Sequence, residues 1–457
     1  MTHDESSQSS PSLLHRTLEE VGLLSLWHSP RDTKLLIAQR FVRLFAYGGS
    51  TLILASYLSA LNIADDRIGL FMTLTLVGDV AISFLLTLFA DAMGRRTVLA
   101  LGSALMVGSG VVFALCGNYW GLLAAAVLGV ISPSGNEIGP FKAVEESTLA
   151  HLTPKEFLRD ILLWYSLVGT AGTALGVMAC GWAINLLETK RGWEYIPACR
   201  TIFFAYAAIG FLKFLLSVAL SKKVEAEVKT KQQRSSETQP LLGERAEGEP
   251  ERKSFLSFLG DGDLVSLVIR LFILFGLDSF ASGLASLSWM TYFFKRKFSL
   301  PEGTLGSIFF TTSIIAAVSM LLASSIAKRI GNIKTMVFTH LPSAICLALI
   351  PLFNLPIALT LLILRACSQN MDVAPRSAFL AAALPSDKRT AIMGAINVVK
   401  TSAQSAGPLI TGVLANRGFF GASFTLAGIL KCVYDVGILV SFLGLERGRE
   451  RSELDRV

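Results

Sequence analysis

The feature that most constrains this chain is the recurrence of apolar runs of about 20 residues, each long enough to cross a bilayer as an α-helix. They fall into two sets of six. The first set is Leu35–Leu58, Ile68–Ala90, Thr97–Leu115, Gly121–Gly139, Ile161–Ile184 and Ile202–Leu220. The second is Leu264–Met290, Leu305–Ile326, Thr335–Phe353, Ile357–Phe379, Ala391–Leu414 and Ala422–Leu443. The expected fold is therefore an all-α integral membrane protein of about twelve transmembrane helices in two pseudo-symmetric six-helix bundles. The bundles are expected over residues 35–220 and 264–443. Flanking them are tails at 1–34 and 444–457, and a linker at 221–263 whose Lys, Glu, Gln, Ser and Pro content cannot bury enough apolar area to order itself.

Composition agrees with lipid as the solvent. Only 16% of residues are charged and the mean hydropathy is +0.56, too little charge to cover a soluble domain. The polar start, Met1 to Ser10, has no basic segment leading into an apolar core, so no secretory signal is read there. Six scattered cysteines without CxxC spacing read as packed free thiols, with neither a disulfide framework nor a metal site. Counting Lys and Arg in alternate loops gives about 24 on the side of the amino terminus against about 8 on the other, which places both termini and the linker in the cytosol. The pI of 9.1 then follows from topology, and no nucleic-acid partner is implied.

The two sets also look like a repeat. Asn136-Glu137-Ile138-Gly139-Pro140 in the fourth run is matched by Met371-Asp372-Val373-Ala374-Pro375 in the tenth: acid, β-branched, small, proline. After the second and eighth runs, Ala90-Asp91-Ala92-Met93-Gly94-Arg95 faces Ala327-Lys328-Arg329-Ile330-Gly331-Asn332. Both matches sit at equivalent places in a six-plus-six arrangement, which favours duplication.

The segment Asp91-Ala92-Met93-Gly94-Arg95-Arg96 resembles the cytosolic loop signature of the major facilitator superfamily. Thr87 stands where that pattern has its leading Gly, and Ala92 where it has a basic residue. The resemblance implies a gate: Asp91 pairs with a helix amino terminus of the neighbouring half, while Arg95 and Arg96 hold the inside. The fourth-run arginine of many members is Ala125 here, and Val177-Met178 follows Gly176 where the drug/proton antiporter branch has Gly-Pro, so multidrug export is a secondary reading. Thr339-His340-Leu341-Pro342-Ser343 is similar to segments of a poorly characterised fungal and bacterial branch.

Charges inside the runs need a reason, since a central one costs about 2.5 to 3.5 kcal/mol on insertion scales. Arg365, Gln369, Asp372 and Arg376 follow helical spacing and are expected to form one polar stripe facing a cavity. Arg43 with Tyr47, Glu137, Asp278 and Lys400 join Arg365, Gln369 and Asp372 as expected substrate or proton pathway residues, because the resemblance places the first, fourth, seventh and tenth spans around a central cavity, with help from the others such as the eleventh that carries Lys400. Lys213 and the spaced pair Lys431 and Asp435 read as structural. Glu137 and Asp278 are the expected proton carriers, and Arg43, Arg365 and Lys400 the groups that neutralise an anion.

The expected function is secondary active transport of a small solute by alternating access, coupled to a proton, with an organic anion favoured by the excess of buried positive charge. The partners implied are the lipid bilayer, a small-molecule substrate and a coupling proton, with the chain acting as a monomer and no cofactor. No GxxxxGK[ST] loop exists to cradle ATP, and the five dispersed histidines form no HExxH or comparable pair, so an enzyme is not expected. A transporter-like sensor that binds without moving solute remains the alternative. The expected location is the plasma or vacuolar membrane; Glu237-Thr238-Gln239-Pro240-Leu241-Leu242 resembles an acidic dileucine sorting signal for the latter. Residues 13–24 read as an interfacial helix or a loose tail.

Overall fold

The structure, a computed structural model, describes residues 23–129, 131, 133, 140–225, 262–385 and 387–454, with the side chains of these except 24, 83–92, 140, 155, 321, 324, 390 and 443–454. Every regular element among them is helical, as lipid demands: a spanning backbone must satisfy its own hydrogen bonds. A short α1 (Leu23–His28) precedes the first half, which comprises α2 (Arg31–Ala60), α3 (Asp65–Met93), α4 (Arg95–Leu115), α5 (Tyr119–Gly129), α6 (Pro140–Leu152), α7 (Lys155–Arg191) and α8 (Tyr195–Val218). The second half comprises α9 (Gly262–Leu284), α10 (Leu287–Phe298), α11 (Glu302–Ile330), α12 (Asn332–Leu349), α13 (Leu355–Ala366), α14 (Val373–Ala383), α15 (Arg389–Asn416) and α16 (Phe420–Leu454). Taking α5 with α6, α9 with α10 and α13 with α14 as single crossings gives the twelve-span arrangement of two six-helix halves.

Three runs differ from their sequence reading. The seventh is two helices parted at Ala285-Ser286, and the second helix runs on to Phe298. The tenth is parted by a turn over 367–372, with Asp372 as the N-cap residue of α14. Arg365, Gln369, Asp372 and Arg376 therefore do not lie on one straight stripe. The fourth continues past its expected end as α6, which carries the fully buried Glu145. Pro140 opens α6 and Pro375 is the third residue of α14, so each proline sits in a first turn, where its missing N–H has no intrahelical partner to lose.

The duplication read from sequence has a backbone counterpart. Gly94 and Gly331, matched in the second repeat, join α3 to α4 and α11 to α12 with φ of 86° and 89°, values that glycine adopts at no steric cost. A third match emerges with the fold: Asp65-Asp66-Arg67-Ile68-Gly69 opens α3 and Glu302-Gly303-Thr304-Leu305-Gly306 opens α11. Each glycine lets a helix of the other half approach. A Cβ on Gly412 of α15 would lie 2.4 Å from the Asp65 carbonyl oxygen and 2.8 Å from the Gly69 Cα, and one on Gly181 of α7 would lie 2.3 Å from the Glu302 carbonyl oxygen and 3.0 Å from the Gly306 Cα. Small residues at these crossings permit backbone contact where apolar burial in lipid gives little drive.

These crossings lie at the face opposite the chain's termini, here the far face. One hydrophobic core is shared by both halves there, joining Leu52, Ile53 and Leu54 of α2 to Trp289 and Phe293 of α10 and Phe420 and Phe424 of α16. Towards the termini face the described core separates into a first-half cluster around Val98, Phe141 and Tyr165 and a second-half cluster around Phe275, Met336 and Tyr434. The molecule is thus one body at the far face and two at the other.

Candidate functional site

Polar groups seal the far face. Ser288 Oγ donates to the Thr51 carbonyl at 2.8 Å, Thr291 Oγ1 to the Leu52 carbonyl at 3.1 Å, and Trp182 Nε1 to Ser307 Oγ at 3.0 Å. The last turn of α10 presents two cations to the two acidic helix starts: Arg296 Nη1 lies 2.5 Å from Asp65 Oδ2, and Lys295 bonds Glu302 while its Nζ sits 3.6 Å from the centre of the Tyr195 ring. Tyr292 Oη donates to Asp65 Oδ1 at 3.2 Å and meets Ser59 Oγ at 2.9 Å.

Inside the first half, α2 brings Arg40 and Arg43 to the same side, three residues apart. Arg43 Nη2 donates to Glu145 Oε2 at 2.6 Å, Tyr165 Oη donates to the same oxygen at 2.6 Å, and Arg40 Nη1 donates to Tyr165 Oη at 2.9 Å. Gly169 on α7 makes room for this, since a Cβ there would lie 2.6 Å from Arg40 Nε. Lys213 of α8, also buried, donates to Ser103 Oγ at 3.2 Å and sits 5.2 Å from the centre of the Phe141 ring. Helices α2, α6 and α7 are tied together by one buried carboxylate.

The second half holds a longer chain of ions. Lys431 Nζ of α16 donates to Asp278 Oδ1 of α9 at 2.6 Å and to Ser282 Oγ at 2.8 Å. The other oxygen of Asp278 lies 3.4 Å from Arg376 Nη1 of α14, and Arg376 also pairs with Asp372 at the start of its own helix. The Arg376 guanidinium lies over Phe275 and Tyr434, with Lys400 Nζ 6.0 Å from the centre of the same Phe275 ring. One turn along α16, both Asp435 oxygens face His340 Nδ1 of α12 at 2.9 and 3.0 Å.

Beside this chain is a cavity of about 350 Å³. Hydroxyls are the commonest polar groups in its wall: Thr170 and Thr173 of α7, Ser282 of α9, Ser286 at the break before α10, Thr312 and Ser313 of α11, and Ser343 of α12. Its ionisable lining residues are His340, Arg365 and Lys431, and it has no carboxylate among the described lining residues. Asp278 balances Lys431. Arg365 of α13 has no ion pair among the described residues, and its buried Nε has no hydrogen-bond partner.

Most of the site residues expected from sequence can now be placed. Arg365 and Gln369 line the cavity; Asp278 and Asp372 lie in the ion chain behind it, with Lys400 over Phe275. Arg43 lies instead in the first-half cluster, and Tyr47, one turn further along α2, is buried and outside the cavity lining. Glu137 is outside the described residues, as is the side chain of Asp91. Gly94 makes its positive-φ turn, and the backbone N–H groups of Arg95 and Arg96 donate to the Glu225 carboxylate at 2.6 and 3.2 Å, with Arg96 Nη2 reaching the Val218 carbonyl.

Sequence reasoning missed Glu145, Tyr165, Arg40, His340 and Glu225, and left Lys431 out of the site. Glu145 fell beyond the expected end of the fourth run, although Phe141, Val144 and Thr148 at helical spacing mark a buried face beyond Pro140. Lys431 and Asp435 read as a mutual pair because they are four apart on one helix, yet each turns to a different neighbour. The six cysteines are free, but Cys116 and Cys367 are exposed instead of packed.

Two helical halves sealed at one face around a polar cavity define a multi-pass membrane protein with the build of a secondary transporter. The model of the Major Facilitator Superfamily matches residues 36–408 and 271–456, and the chain belongs to that superfamily. An uncharacterized membrane protein of Saccharomyces cerevisiae is 36% identical over 430 residues, covering 91% of this chain and 95% of that protein. Among solved structures, a bacterial homologue of the human lysosomal transporter Spinster, inward-facing and unoccupied, superposes with a TM-score of 0.70 at 12% identity over 89% of this chain and 95% of its own. The xylose transporter XylE from E. coli, inward open, gives 0.64 at 14% identity over 88% and 94%. These two likenesses establish the fold.

Proposed function

We propose that the chain is a secondary active transporter that carries a small organic anion by alternating access, coupled to a proton. The observation that carries this reading is Arg365: a guanidinium without a counter-charge among the described residues, facing a hydroxyl-lined cavity that has no described carboxylate in its wall. An uncompensated ion in a membrane protein's interior costs several kcal/mol, which an anionic ligand offsets by pairing with the planar donor fork. Ser282, Ser286, Thr312 and Ser343 can then orient the polar remainder of the solute.

The far-face closure corresponds to the state in which the cavity communicates with the termini face. With the Lys- and Arg-rich termini face in the cytosol, this is an inward-facing state. Rocking the halves apart at the far face would break the pair of Asp65 with Arg296 and lift Lys295 from the Tyr195 ring. The turn at 91–96, whose Arg95 and Arg96 amides hold Glu225, is the counterpart device at the cytosolic face, with residues 221–263 the linker between bundles of 35–220 and 264–443. The carrier acts as a monomer in the plasma or vacuolar membrane.

The test is uptake of labelled organic anions, sugars and organic cations into proteoliposomes of the purified protein. The reading predicts saturable, pH-gradient-stimulated uptake of an anion that Arg365→Gln removes and Arg365→Lys retains in part. Uptake of a cation instead, or wild-type uptake in the Arg365→Gln protein, would contradict it, and binding without movement would point to a sensor.

A further inference from the structure

We propose that His340 is the group that takes up the coupling proton, and that proton and anion share one cavity and cross together as a symport. The inference rests on the anion reading above and adds the proton's address and direction. His340 is 4% exposed, and what exposure it has is to the cavity that it helps to line with Arg365 and Lys431. A carboxylate can only accept, so Nδ1 donates to Asp435, and the bifurcated contact at 2.9 and 3.0 Å fixes the ring. Nε2 is left as the basic atom, with no hydrogen bond to it among the described residues. A proton arriving there from the cavity makes an imidazolium whose charge Asp435 balances from behind. A carboxylate backing a histidine in this way sets both its tautomer and its orientation.

The surroundings decide what such a charge does. On α16 the facing groups are Asp435, Lys431 and the Tyr434 ring, which meets His340 edge-on at 5.9 Å between centres. On α9 they are Asp278 and Ser282, both held by Lys431; on α14, Arg376 with Asp372; on α13, Arg365. The polar groups that helix α11 offers to the cavity, among the described residues, are the hydroxyls of Thr312 and Ser313. Asp278 and Asp372 are already spoken for by Lys431 and Arg376. A proton on His340 therefore cancels the negative field of Asp435 that reaches the cavity and leaves the Arg365 charge more fully unbalanced there, a state that is relieved by an anion. By linkage each ligand raises the affinity for the other to the same degree. Neither crosses readily alone.

The experiment uses full-length protein in proteoliposomes with labelled lactate, citrate and benzoate as probes, comparing two modes. Counterflow exchange needs only the loaded carrier, whereas accumulation driven by an acid-outside gradient needs the proton to be taken up and released in each cycle. For His340→Gln the proposal predicts gradient-driven accumulation cut at least tenfold and loss of the proton influx that accompanies wild-type uptake, while counterflow survives at a raised half-saturating anion concentration and no longer varies with pH. Asp435→Asn, which keeps the hydrogen bond to the ring but not the charge, should shift the pH profile of accumulation while leaving counterflow in place. Gradient-driven accumulation persisting in His340→Gln overturns this inference alone. No counterflow of any probe by the wild type overturns the anion reading beneath it, and equal loss of both modes in both variants assigns the pair a structural role.

Discussion

The two halves descend from one plan but spend their buried charges differently. In the first, Glu145 gathers Arg43 and Tyr165, and Arg40 through that tyrosine, into a closed knot that ties three helices. In the second, Asp278, Asp372 and Asp435 hold Lys431, Arg376 and His340 in a chain, and one arginine, Arg365, is left facing a cavity. The lesson concerns division of labour. A buried ion whose valence is met within its own half acts as a strut, while an ion left over is available to a solute.

Breaking the strut should have the largest effect. Glu145→Ala removes the buried carboxylate that pairs with Arg43, a loss of about 3–5 kcal/mol, seen as a lower thermal midpoint and reduced yield of folded protein. If the variant instead folds as wild type and loses only uptake, the comparison between halves fails. Arg365→Gln should behave in the opposite sense. Removing its charged hydrogen bonds to a ligand costs about 1.5–3 kcal/mol, roughly 10- to 100-fold in apparent affinity, while the thermal midpoint of the empty protein stays level or rises.

The far-face crossing offers a sharper contrast between conformations. Gly412→Leu places a side chain where a Cβ already meets the Asp65 carbonyl, and such overpacking costs about 1–3 kcal/mol in the closed arrangement alone. Disulfide capture of a Ser59→Cys, Tyr292→Cys pair across the halves should fall several-fold in that background; unchanged capture would mean that the crossing is not what closes this face. Asp65→Asn should do least. Its partner Arg296 keeps 48% of its side chain exposed, so the pair contributes at most about 1 kcal/mol and capture should change by less than about fivefold.

The number of spans, their two sets and the glycine turns at 94 and 331 were legible because lipid imposes length and composition on every crossing, and positive φ imposes glycine on a tight turn. Partner choice among the buried ions was not. Spacing along one helix gives a direction around its axis but not which neighbour stands there, which is why Lys431 and Asp435 misled and why His340 reads only as part of a family-like segment and as one of five dispersed histidines. The break at 285–286 was hidden because it lies inside an apolar run, whereas that at 367–372 carries a polar cluster, Ser368-Gln369-Asn370 with Asp372, that reads equally as a cavity-facing stripe on an unbroken helix. Arg365 and Gln369 were picked out by the cost of polarity at mid-span, and the same cost pointed to Asp278 and Asp372, which are engaged by the protein's own cations.

The most direct measurement is the thermal stability of wild type and Arg365→Gln across a panel of organic anions, neutral sugars and organic cations, because a ligand that binds the folded state raises its midpoint by mass action. The account predicts that at least one anion stabilises the wild type, that the sugars and cations do not, and that the shift vanishes in Arg365→Gln but survives in the second-half control Cys367→Ser. An anion shift of equal size in wild type and Arg365→Gln, or stabilisation by a cation, would contradict it.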